Sequence, residues 1–176
     1  MKRTRGSAVA AALLLAGSMV GVAAPASASV PASASASASA SGGMSHVRGG
    51  AYFDSSGVCP VKKGYTSYKP LVMTGSLKGC WYTHIDQSWT VGGDYLERGR
   101  EVFVGRLNGG PRGTFKTVYL FEAKLAADGS EISGQCQHPI VPGSGRGGFR
   151  GKSGILYFRD IVTTDPLTYV YTGHID

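Results

Sequence analysis

Thr114-Phe115-Lys116-Thr117-Val118-Tyr119-Leu120-Phe121-Glu122-Ala123-Lys124-Leu125-Ala126 is the stretch that decides the fold. Counting in twos puts Phe115, Thr117, Tyr119, Phe121, Ala123 and Leu125 on one side, with Lys116, Glu122 and Lys124 on the other. Side chains of a strand alternate between faces, so this is a strand with one face on a core and one in water. No stretch from Tyr52 onward carries the 3.6-residue apolar spacing of a helix.

Reading outward, glycines punctuate short β-branched and aromatic segments. Strands are expected at residues 71–77, 79–86, 100–107, 114–126, 131–141, 154–163 and 168–175, with a further one near Tyr52. Asn108-Gly109-Gly110 and Asp128-Gly129 supply turn chemistry between them. The expected fold is all-β, a small antiparallel meander of eight strands closed into a barrel, because closure removes exposed edges. In residues 131–141 the same counting groups Ile132, Gly134, Cys136, His138 and Ile140 against Ser133, Gln135 and Gln137. Cys136 and His138 are therefore expected to point inward.

The residues before this domain read differently. Lys2, Arg3 and Arg5 precede an apolar run broken by Gly17, Ser18 and Gly21, and Pro25-Ala26-Ser27-Ala28 follows. Charge, then a short apolar run, then small residues is the pattern of a cleavable signal peptide, here residues 1–28. No Cys lies near the cleavage site for a lipid anchor. Residues 29–50 are largely Ala and Ser, with too little apolar bulk to offset the entropy of ordering, and are expected to be a disordered linker. Residues 51–176 are left as the barrel domain. Losing the three leader cations takes the formal charge from +7 to +4. The remaining basic residues are mostly single, so charge implies solubility rather than nucleic-acid binding. The expected protein is secreted, with no membrane anchor after cleavage, and is a monomer or homodimer.

Cys59, Cys80 and Cys136 are the only cysteines. Export brings them to an oxidising environment in which thiols pair. Cys80 shares a face with Tyr82 and His84, opposite Trp81 and Ile85, and is expected to point out of the barrel. With Cys136 pointing in, Cys59–Cys80 is the preferred bridge. No CxxC is present, and His46, His84, His138 and His174 lack ligand spacing, so neither metal nor cofactor is expected.

Gly143-Ser144-Gly145-Arg146-Gly147-Gly148 satisfies the dinucleotide pattern, but strand-forming sequence follows where that motif needs a helix. Gly113-Thr114-Phe115 and Gly148-Phe149-Arg150-Gly151 read instead as one hairpin design used twice. The whole block continues through Lys152-Ser153-Gly154-Ile155-Leu156-Tyr157-Phe158-Arg159-Asp160. Together with Leu77-Lys78-Gly79-Cys80-Trp81-Tyr82, Gln135-Cys136-Gln137-His138-Pro139-Ile140 and Tyr171-Thr172-Gly173-His174-Ile175, it resembles the allene oxide cyclase barrel-like proteins of secreted actinobacterial type, relatives in shape of dirigent proteins. The resemblance implies a calycin-like barrel. It also implies, for cyclases of this type, chemistry that works mainly by holding an apolar, reactive substrate in one shape. No site residue is carried over from it.

For chemistry, no local signature sets a Ser or Cys nucleophile beside a base. Glu101 is the only Glu that parity groups with apolar neighbours, Phe103 and Leu107, so no inward acid pair is expected. Tyr82, Glu101, Tyr119, His138 and Tyr157 are the candidates to line a barrel mouth. They either fill the barrel, line a ligand pocket or line a catalytic one. Asp160 shares a face with Leu156 and Phe158 and is expected to pair with an Arg such as Arg159 or Arg106. The leading functional expectation is binding of a small apolar or aromatic molecule. The alternatives are a template-type isomerase or cyclase, and an extracellular interaction protein with a filled barrel.

Overall fold

The computed structural model describes residues 43–176. The expected signal peptide and most of the expected linker lie outside the described residues. Nine strands follow in order: β1 Ser45–Phe53, β2 Leu71–Met73, β3 Leu77–Val91, β4 Asp94–Leu107, β5 Gly113–Leu125, β6 Glu131–Pro139, β7 Arg146–Gly147, β8 Gly154–Ile161 and β9 Thr168–Ile175. All pairings are antiparallel. The ring runs β1-β2-β3-β4-β5-β6-β8-β9 and returns to β1, so eight strands close the barrel. The two-residue β7 pairs with the start of β5. Closure spends the backbone hydrogen bonds that an open sheet would leave on its edges.

Two boundaries differ from the sequence reading. β1 begins at Ser45 rather than 51 and pairs with β9 from Ser45↔Ile175 to Tyr52↔Thr168, so residues 45–50 belong to the barrel and not to a linker. Val47 supplies the buried apolar side chain that makes this segment a strand. β3 and β4 run to Val91 and from Asp94, joined by Gly92-Gly93 with φ of 62° and 91°. Two central residues at positive φ match the twist of paired strands, which is why glycine is suited to both places.

The inner face of β5 is the expected one, with Phe115, Thr117, Tyr119 and Ala123 buried. On β6 parity breaks at its start. Lys124 pairs with Ser133 but Leu125 with Glu131, leaving Ile132 as a bulge. Ile132, expected inside, is 57% exposed, and Glu131 turns in instead. One inserted residue reverses the facing of all that precedes it.

The interior has two halves. In one, Phe103, Phe115 and Phe149 pack with ring centroids 5.0 to 5.6 Å apart, beside the fully buried Leu77, Leu156 and Ile175. Phe149 arrives from the Gly-rich connection, which is a series of tight turns and not a second hairpin. Gly147 there holds a φ of 58°. Trp81 covers this layer, 5.8 Å from Phe115 on one side and 5.4 Å from His138 on the other. Beyond Trp81 the barrel is open.

Residues 54–70 form an arm on the outside of β3. Cys59 is bonded to Cys80, with Cα atoms 5.7 Å apart, and Cys136 is a free buried thiol. Asp54 ties the base of the arm: its carboxylate accepts from the amides of Ser56, Gly57 and Cys59, the last at 2.7 Å. The Cys59 amide above all holds that carboxyl below its ordinary range. Replacing both Cys59 and Cys80 by Ser is expected to lower unfolding free energy by about 3 kcal/mol, the entropy of closing a loop of this size. Urea titration of oxidised wild type against the double variant measures it.

Candidate functional site

The open half is a cavity of about 310 Å³. Trp81, Phe158 and His138 line it, together with Phe53, Phe121, Leu167 and Tyr169 from strands and connections nearer the mouth. Tyr68, carried by the arm, reaches over the opening.

Glu101 stands at the centre of β4, in register with Thr83 on β3 and Thr117 on β5. Both hydroxyls donate to it, at 3.2 and 2.8 Å. His138 reaches from β6 and sets Nδ1 2.6 Å from Glu101 Oε2. Both side chains are only 4% exposed. A carboxylate accepts, so hydrogen-bond complementarity assigns the proton to Nδ1 and leaves Nε2 with a lone pair. Nε2 has no partner among the described residues.

Glu97 lies four residues earlier on the same inner face. It accepts three phenols: Tyr119 at 2.6 Å, Tyr68 at 2.6 Å and Tyr95 at 2.7 Å. Between the two acids is Gly99, where a Cβ would strike the His84 carbonyl and the Tyr119 ring. The missing side chain lets that ring lie across β4 and reach Glu97. Burial first, then the bond to Glu97, pushes the Tyr119 and Tyr68 phenols far above their ordinary range, so both remain donors. Burial likewise raises the Cys136 thiol, and the nearby acids add to it. A thiol kept protonated is a poor nucleophile.

Asp160 and Glu131 form a second acidic group, set together above Gly134, whose hydrogen leaves room that a Cβ would take. The expected arginine partner is absent. Arg159 occupies the outer face of β8, and Arg106 donates to the Gly110 carbonyl. Without a cation, burial and then Glu131 raise Asp160 from 3.8 to about 8. Between these values the folded chain holds a proton that the unfolded chain has released. Stability from this group therefore falls as pH rises from about 4 to about 8 and is level above. Asp160→Asn is expected to gain on wild type across that window, by on the order of 1–3 kcal/mol at pH 9. Thermal unfolding at a series of pH values measures it, and a constant difference from pH 4 to 9 would contradict the assignment.

Of the residues proposed from sequence, Glu101, Tyr119 and His138 meet in the cavity. Tyr82 and Tyr157 do not line it. Tyr82 shares the outer face of β3 with Cys80 and is buried under the arm with Cys59 and Val102. Tyr157 alternates with the inward Leu156 and Phe158 on β8 and is 45% exposed. Glu97, Glu131, Tyr68 and Tyr95 were not expected there. Glu97 has the parity of Glu101 but precedes residue 100, the expected start of that strand; the Gly92-Gly93 turn is the signal that the strand begins earlier. Tyr68 had none, because a loop residue carries no periodicity.

Among the described residues no group of three or more His, Cys, Asp and Glu is placed to hold a metal. No helix among them is long and apolar enough to cross a membrane. In comparisons with known proteins, no family model matches the chain, and neither the curated proteins nor the solved structures give a match.

Proposed function

We propose that this is an exported binding protein that holds one small, largely apolar or aromatic molecule inside its barrel. The observation that carries the reading is the cavity of about 310 Å³, walled by Trp81, Phe53, Phe121 and Phe158, with a few inward polar groups. Small-molecule sites are apolar concavities of roughly 300–1,000 Å³ with sparse, well-placed polar atoms. A filled barrel acting only through its surface fits less well, because packing fills one half. Export is supported by the leader pattern of residues 1–28 and by the Cys59–Cys80 bond. Membership of the allene oxide cyclase barrel-like proteins is our proposal as well. It is supported by the closed eight-stranded barrel and by the Gly-rich block that delivers Phe149.

A second reading, a template-type isomerase or cyclase, is favoured by one observation. An imidazole whose Nδ1 is fixed by a buried carboxylate while Nε2 is unpartnered is arranged as a general base. Native mass spectrometry of the mature protein from culture supernatant, before and after mild denaturation, tests both readings. A lost mass identifies the ligand. Recovery of an added ligand as an isomer of equal mass selects the enzyme. No lost mass, and no binding to a panel of apolar molecules, overturns both.

A further inference from the structure

We infer that the ligand is a hydrogen-bond donor, an aromatic molecule bearing a phenol-type hydroxyl, and not a carboxylate or an acceptor-only ether; this rests on the binding reading above. Most of the cavity's polar atoms are already used. The hydroxyls of Tyr68, Tyr95 and Tyr119 all donate to Glu97, and those of Thr83 and Thr117 to Glu101. Every one of these donors is spent on a protein carboxylate. One buried side-chain atom among the residues lining the cavity is left without a partner, His138 Nε2; Glu131 lies against Asp160, whose retained carboxyl proton it accepts. His138 Nε2 is an acceptor, because the ring's one proton sits on Nδ1 and is donated to Glu101.

An unsatisfied buried acceptor costs about as much as a lost hydrogen bond, and a ligand O–H recovers it. An ether offers this atom nothing. An anion would enter a space that already holds the carboxylates of Glu97, Glu101 and Glu131, with no Lys or Arg in the interior among the described residues to meet it. Lys69 lies at the rim and is exposed, where an ion pair contributes little. The Tyr169 hydroxyl, beside Asp160, can donate or accept and does not discriminate. The aromatic half of the assignment follows from the rings of Trp81, Phe121 and Phe158, against which a flat ligand stacks or packs edge-on.

The test is isothermal titration of the disulfide-bonded barrel, freed of endogenous ligand, with four probes of one skeleton: naphthalene, 2-naphthol, 2-methoxynaphthalene and 2-naphthoate. The expected order is 2-naphthol at least tenfold tighter than the methyl ether, naphthalene close to the ether, and naphthoate without detectable binding. In His138→Phe the preference for naphthol over its ether is expected to shrink to threefold or less. Should that variant not fold, the four-probe order on the wild type decides alone. Equal affinity for naphthol and its ether, or tighter binding of naphthoate, overturns the donor assignment while leaving the binding reading in place. Binding of none of the four overturns the aromatic-pocket reading and the donor assignment with it.

Discussion

Glu101→Ala is expected to lower unfolding free energy by about 3–5 kcal/mol, the range for removing one member of a buried charged or hydrogen-bonded pair. The loss is large because three donors depend on this carboxylate. Without it, His138 Nδ1 and the Thr117 hydroxyl stay buried with no acceptor, and the half-buried Thr83 hydroxyl loses its acceptor as well. Each such orphan costs roughly 1–3 kcal/mol, less whatever a water entering the cavity restores. Glu101→Gln keeps the shape and one acceptor oxygen, and is expected to lose about half as much. Urea denaturation midpoints at constant m-value give both numbers. A loss below 1 kcal/mol in Glu101→Ala would mean that the cavity floor is wet and His138 is not held by the acid.

Trp81→Ala is expected to cost a similar 3–5 kcal/mol, from lost apolar transfer and the void left behind. Its ring is 1% exposed and touches Phe103 and Phe115 below and His138 and Phe158 above. It is thus the partition between the packed half of the barrel and the cavity. Removing it enlarges the cavity downward, so the variant should gain affinity for a three-ring aromatic probe relative to a two-ring one. Fluorescence titration with anthracene and naphthalene reads this selectivity independently of stability. An unchanged ratio of the two affinities would mean that the layer of Phe103, Phe115 and Phe149 collapses upward into the space.

Alternation alone carried much of the architecture. The inner face of β5, the inward Cys136 and His138 and the outward Cys80 are all local statements, and a strand with one wet face writes them into its sequence with period two. Closure into a barrel followed from having many strands and short turns, since an unpaired edge is unfavourable. Where the chain departs from the expected strand bounds or from strict alternation, the site departs with it. β4 starts at Asp94, before the expected residue 100, and so carries Glu97, and the bulge at Ile132 brings Glu131 inside against the count.

What only the tertiary structure decided is which inward residues meet. Glu101 and His138 are 37 positions apart and belong to strands that are not neighbours. Barrel curvature and stagger bring them to 2.6 Å, and no periodicity encodes that distance. Tyr68 comes from an arm whose path is fixed by Asp54 and by the bond to Cys80, and Phe149 from a turn whose direction depends on glycines. The division of the interior into a filled half and an open one depends on where Trp81 stops. The sequence by itself determined the strands and their faces, because those are set within a few residues. The tertiary structure decided the cavity and its acids, because those depend on how distant strands are curved, staggered and capped.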